Sequence, residues 1–138
     1  MGPGVFSIDE IKAKLAPLFE DEALQFVLLF GSQSSGQAHP ESDIDLGFLY
    51  DEPVDLLNLT NKVIQLLCKD RVDVVDLRRA NPLLCYAAAH QGKLLYERCP
   101  GLFNRFYSLS FRRYVDTKKL RDARQRAIDT FLAARGPK

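Results

Sequence analysis

An α/β (α+β) sandwich, a small mixed β-sheet flanked by helices and followed by C-terminal helices, is the fold that the sequence predicts, and three observations carry the prediction. Apolar residues recur at steps of three and four before residue 20, between 55 and 70 and beyond 100, the spacing of helices with one buried face. Between these segments stand short β-rich runs bounded by glycine, proline and small polar residues. The chain has 138 residues, 46% hydrophobic and 27% charged, which is the size and composition of one globular domain that needs no disulfide staple to bury a core.

Each element has its own justification. Ser7-Ile8-Asp9-Glu10 sets a serine three residues before a glutamate, the spacing of a reciprocal capping box. A helix is therefore expected from Ile8 to about Phe19, with Ile8, Ile11, Leu15, Leu18 and Phe19 on one face and Pro17 loosening the last turn. Leu24 to Phe30 is too short and too β-rich for a core helix, and Gly31 ends it, so it reads as a buried strand. The second strand falls in Ser42-Asp43-Ile44-Asp45-Leu46-Gly47-Phe48-Leu49-Tyr50, whose first half alternates polar with apolar residues. A helical stripe from Leu56 to Leu67 and the β-branched run Val72 to Leu77 give a helix and a third strand. Asn81-Pro82 is a capping residue before a proline at the first helical position, predicting a helix that runs to about His90 and stops at Gln91-Gly92. Lys93 to Arg98 reads as a fourth strand. Beyond Cys99-Pro100-Gly101, Phe103, Phe106, Tyr107, Phe111 and Tyr114 carry a helical spacing, and Asp116 or Thr117 is placed to cap a second helix through Leu132.

Composition narrows the function classes. No run approaches the roughly 20 apolar residues of a membrane span. The three cysteines, Cys68, Cys85 and Cys99, form no C-x-x-C pair, and Met1-Gly2-Pro3-Gly4 lacks the layout of a signal peptide, so a cytoplasmic location is expected. The net charge of +1 hides a split: residues 1–97 hold 8 Lys and Arg against 15 Asp and Glu, whereas residues 98–138 hold 11 against 3. A basic, aromatic tail suits an acidic partner or phosphate, and leaves direct nucleic-acid binding as a lesser alternative to helix packing.

One stretch carries chemistry: Gly31-Ser32, ten residues, then Asp43-Ile44-Asp45. Strand side chains alternate, so Asp43 and Asp45 share a face. Two like charges side by side are tolerable when a divalent cation neutralises them, and hard oxygen ligands select Mg²⁺ or Mn²⁺. A third carboxylate on a neighbouring strand would complete the site, with Asp73 and Asp76 as the candidates. Gly31 permits a sharp turn at the strand end, and Ser32-Gln33-Ser34-Ser35-Gly36 offers backbone N–H groups and hydroxyls to a phosphate. The physical reading is a two-metal site for phosphoryl or nucleotidyl transfer.

Gly31-Ser32-x10-Asp43-x-Asp45 resembles the signature of the DNA polymerase β superfamily of nucleotidyltransferases. The SDIDLGFL wording and the short chain resemble its minimal nucleotidyltransferases, the MNT proteins encoded beside HEPN-domain toxins. The resemblance implies that Gly31 and Ser32 bind the β- and γ-phosphates of a nucleotide, that Asp43 and Asp45 are metal ligands for two Mg²⁺ ions (or Mn²⁺), and that Asp73 is the usual match to the third aspartate. Asp76 has the opposite strand parity, so only one of the two faces the metals. A common family form has an arginine soon after Gly-Ser, where this chain has Gln33, Ser34 and Ser35. The resemblance further implies residues 1–100 as a minimal nucleotidyltransferase domain with 101–138 as a basic helical extension packed on it or on a partner. It implies ATP as the substrate and transfer of AMP to a tyrosine of a partner HEPN RNase toxin, making this chain the antitoxin. Two alternatives stand beside this: a steric antitoxin without catalysis, and an adenylyltransferase of a small hydroxylated molecule.

Overall fold

The computed structural model describes residues 7–30 and 44–135. Its elements run α1 (Ile8–Leu15), a 3-10 turn (Ala16–Glu20), β1 (Leu24–Phe30), β2 (Ile44–Tyr50), α2 (Leu56–Leu67), β3 (Val72–Asp76), α3 (Pro82–Gln91), β4 (Lys93–Glu97) and α4 (Leu102–Arg135). The predicted mixed α+β fold is the one observed.

Helix starts follow from side chains that satisfy the first free N–H groups. Glu10 N–H donates to Ser7 Oγ at 3.1 Å and Ser7 N–H donates to Glu10 Oε1 at 2.9 Å, completing the capping box. Those hydrogen bonds hold the Glu10 carboxyl below its ordinary value, the bond from the Ser7 backbone contributing most. Asp55 caps α2 through Asn58 N–H, and Asn81 caps α3 through Leu84 N–H, with Pro82 in the first turn. Pro17 acts as expected: the regular helix stops at Leu15, and Ala16–Glu20 continues as a tighter 3-10 turn. Cys68 is exposed and ends α2 in the left-handed region at φ 52°.

The four strands lie in the order β3-β2-β1-β4, with β1 antiparallel to both β2 and β4 and β2 parallel to β3. Parallel neighbours need a crossover, and α2 supplies it. Both faces of the sheet are covered. On one, Val27, Leu29, Ile44, Leu46 and Phe48 pack against Ile11 and Leu15 of α1 and Leu59, Val63 and Leu67 of α2. The Phe19 and Tyr96 rings stack at 4.3 Å on this side, and the Tyr96 hydroxyl donates to the Phe19 carbonyl. On the other face, Phe26, Leu28 and Leu77 meet Ala88 of α3 and Phe103 and Phe106 of α4.

The predicted break near Asp116–Thr117 does not occur: α4 is one helix of 34 residues. The Thr117 hydroxyl donates back to the Tyr114 carbonyl within the helix rather than capping a new one. No glycine or proline interrupts the segment, and the Lys118–Asp122 pair at 2.9 Å, with Gln125 donating to Asp129, links successive turns. Among the described residues no helix is long and apolar enough to cross a membrane.

Two predictions follow from this packing. A Cβ built on Gly92, which closes α3, would stand 2.4 Å from the Ala88 carbonyl oxygen, a backbone atom that cannot swing aside. Gly92→Ala is therefore expected to lose about 1–3 kcal/mol in a urea titration, by opening the last turn of α3. Burial, with Asp21 adding to it, pushes the Tyr50 hydroxyl from 10.0 up to about 12. The folded state then holds this proton more tightly than the unfolded chain does, so its contribution is complete below pH 10 and disappears as pH rises towards 12. The melting temperature should fall across that window, and Tyr50→Phe should flatten the fall.

Candidate active site

Strand register assembles the acidic pair. In the parallel β2–β3 pairing Asp45 stands opposite Asp73, while in the antiparallel β1–β2 pairing it stands opposite Phe30, the last residue of β1. Register partners in a sheet share a face, so the two carboxylate side chains emerge on the same side of two adjacent strands. That side is the α3/α4 face, because Gly47 and Leu49 follow Asp45 at steps of two, and Val75 and Leu77 follow Asp73 in the same way. Asp73 is exposed and Asp45 half-buried. The pair lies at the end of the sheet where β1 stops and β2 and β3 begin.

Asp76 goes elsewhere. Its register partner is Phe48, a residue of the α1/α2 core, and it is only 8% exposed. Its Oδ1 accepts the Arg78 N–H at 3.1 Å, so this carboxylate tightens the turn leaving β3. Asp76 stands three positions after Asp73, an odd offset, and alternation sends them to opposite faces. Of the two sequence candidates the structure brings Asp73, not Asp76, beside Asp45. Gly31, Ser32 and Asp43 lie outside the described residues, as do Gln33, Ser34, Ser35, His39 and Glu41.

The donor set fits a hard divalent cation: two carboxylates on neighbouring strands present charged oxygens on one face, and such ligands favour Mg²⁺ or Mn²⁺ over softer metals. Among the described residues no group of three or more His, Cys, Asp and Glu side chains gathers to hold a metal. Asp43, two residues before Asp45 on the same strand phase, is the further carboxylate that sequence assigns to this face.

Other polar and aromatic side chains of α3 and α4 take structural roles. His90 Nδ1 lies 2.9 Å from the Tyr107 hydroxyl, joining the end of α3 to α4. The aromatics of α4 are spent on packing: Phe103 and Phe106 meet Phe26 edge-on, and Tyr107, Phe111 and Tyr114 gather around Tyr86. This is helix packing rather than a base-stacking platform. Beyond Thr117 the character changes, with Leu120, Ile128, Phe131 and Leu132 all exposed on a basic helix.

Comparison with known proteins agrees with the geometry. Residues 13–100 match the family model described as "Polymerase beta, Nucleotidyltransferase". The protein adenylyltransferase MntA of Aphanizomenon flos-aquae is 26% identical over 142 residues, covering 94% of this chain and 93% of that protein. The protein adenylyltransferase MntA of Shewanella oneidensis is 40% identical over 88 residues, covering 60% of this chain and 63% of that protein. Among solved structures, a toxin–antitoxin crystal structure with AMP-PNP contains a chain that superposes with a TM-score of 0.72 at 32% identity, covering 88% of this chain and 98% of that one. A complex of tri-AMPylated Shewanella oneidensis HEPN toxin with MNT antitoxin superposes with a TM-score of 0.68 at 28% identity, covering 91% and 98%.

Proposed function

This chain belongs to the polymerase β nucleotidyltransferase family, and from that membership we propose that it moves AMP from ATP to a tyrosine hydroxyl of a partner HEPN RNase toxin, acting as the antitoxin of the pair. The observation that carries the reading is the register pairing of Asp45 with Asp73 on one open face, next to the strand end where Gly31-Ser32 begins. The relatives support the reading: one is named a protein adenylyltransferase, and another is the MNT antitoxin in a complex with a tri-AMPylated HEPN toxin.

In this reaction the tyrosine oxygen attacks the α-phosphorus of ATP, the bond from that phosphorus to the bridging oxygen breaks, and pyrophosphate leaves. Asp43, Asp45 and Asp73 are the residues assigned to hold Mg²⁺ or Mn²⁺. When bound, the ions neutralise charge on the transferred phosphorus centre and the leaving group. Gly31 and Ser32 are assigned to the β- and γ-phosphates, with backbone N–H groups and a hydroxyl as donors. Asp73, the more exposed of the register pair, is the residue assigned to accept the phenolic proton.

The distal half of α4 suits docking: it is basic, and its exposed Leu120, Ile128, Phe131 and Leu132 give a helix the apolar anchors that a partner groove reads.

Asparagine keeps the size of aspartate and removes its charge, so the three β2–β3 carboxylates can be compared directly. Asp45→Asn and Asp73→Asn should each lower AMP transfer to the toxin by at least about 100-fold with an unchanged melting temperature. Asp76→Asn should leave transfer within about threefold, since the amide oxygen can still accept the Arg78 N–H. Full transfer by Asp73→Asn together with loss in Asp76→Asn would reverse the assignment. Replacing Leu120 and Phe131 by Asp should abolish co-elution with the toxin while leaving the helical circular-dichroism signal intact; undiminished co-elution would remove α4 from the interface.

A further inference from the structure

A second site lies at the opposite end of the α3/α4 face. Leu49 and Leu77 stand four residues beyond Asp45 and Asp73 along the same strands, about 13 Å away at strand rise. With Cys85 of α3 and Phe106 and Ser110 of α4 they enclose a cavity of about 340 Å³. Arg78, Arg105 and Arg113 line it as well, approaching from the turn after β3 and from two positions of α4. The transfer chemistry uses none of these residues.

Two features of this cavity are unspent. Ser110 is 3% exposed, yet among the described residues its hydroxyl has no hydrogen-bond partner, although a helical serine ordinarily donates back along its own helix. Buried hydroxyls are normally satisfied, and Ser110 lines this cavity. The three arginines form no ion pair among the described residues, so positive charge collects around an apolar hollow with no anion to balance it. The Cys85 thiol is already engaged, donating to the Leu77 and Ala80 carbonyls.

We propose that this cavity is a binding site for a small organic carboxylate, its apolar body lying on Leu49, Leu77 and Phe106 and its head held by Arg105 and Arg113 with Ser110 as an added donor. The guanidinium fork matches a carboxylate with two parallel N–H···O bonds, which a compact ammonium would not do. The volume suits a body of about ten non-hydrogen atoms, taking roughly 30 Å³ for each. Apolar walls with a few converging polar groups are the usual make-up of a small-molecule site.

The test uses the full chain and octanoate as the probe, with 1-octanol as its uncharged counterpart, followed by titration calorimetry. Octanoate should bind at one site per chain, and 1-octanol at least about tenfold more weakly. The double variant Arg105→Gln, Arg113→Gln should weaken octanoate binding by at least about tenfold, and Ser110→Ala by a few-fold, with melting temperatures close to that of the parent. An independent readout does not depend on those variants. In a Cys68→Ser, Cys99→Ser background, octanoate should slow alkylation of Cys85, which lines the cavity. Equal affinity for octanol and octanoate, affinity indifferent to the two arginines, or Cys85 alkylation unchanged at saturating octanoate would each overturn the proposal.

Discussion

The parallel pairing of β2 with β3 is the constraint on which the candidate site depends. Two carboxylates on different strands meet only if the strands are held at one register, and a slip of one residue would turn Asp73 to the opposite face. Burial on both sides prevents the slip. Ile44, Leu46, Phe48 and Val72 are committed to the α1/α2 core, and Leu77 to the α3/α4 core, so moving β3 by one position would pull Val72 and Leu77 out of the cores they fill. The α2 crossover, capped by Asp55, supplies the length of chain that lets these strands run parallel. Core packing thus holds Asp45 and Asp73 on one face without any direct bond between the aspartates being needed.

Much of this was legible in the residues themselves. The Ser7–Glu10 capping box, the Asn81-Pro82 helix start and the Gly92 stop are local signals, satisfied by neighbours three or four positions away, and the structure uses each as written. Alternation along β2 and β3 also carried the fact that Asp73 and Asp76 face opposite ways. Which of them stands beside Asp45 depends on pairing between strands separated by a helix, and periodicity within one strand carries no such information. The helix break expected at Thr117 failed for a related reason. A threonine that caps and a threonine that bonds back to its own helix look alike in sequence, and the Tyr114 carbonyl decided between them. The arginine-rimmed cavity was beyond sequence reading altogether, since Arg78, Arg105 and Arg113 come from segments whose meeting is a tertiary event.

The charge split along the chain acquires a spatial meaning from the fold. The acidic portion holds the carboxylate face, and under the proposed reaction a divalent cation there would offset the repulsion between the aspartates and a triphosphate. The basic portion is α4, whose first half is anchored by Phe103 and Phe106 on Phe26 and by the ring cluster around Tyr86. Its second half keeps its apolar side chains exposed. One helix therefore packs as core at one end and leaves an apolar, basic surface at the other.

The central claim is that the acidic face supports nucleotidyl transfer to a protein, and the position of the transferred label tests it most directly. Purified chain with Mg²⁺ and its HEPN partner would be given ATP labelled at the α-phosphate in one reaction and at the γ-phosphate in another. The account predicts label on the toxin from the α position alone, with release of pyrophosphate. Label from the γ position, or a toxin that is bound and silenced without acquiring any label, would contradict it.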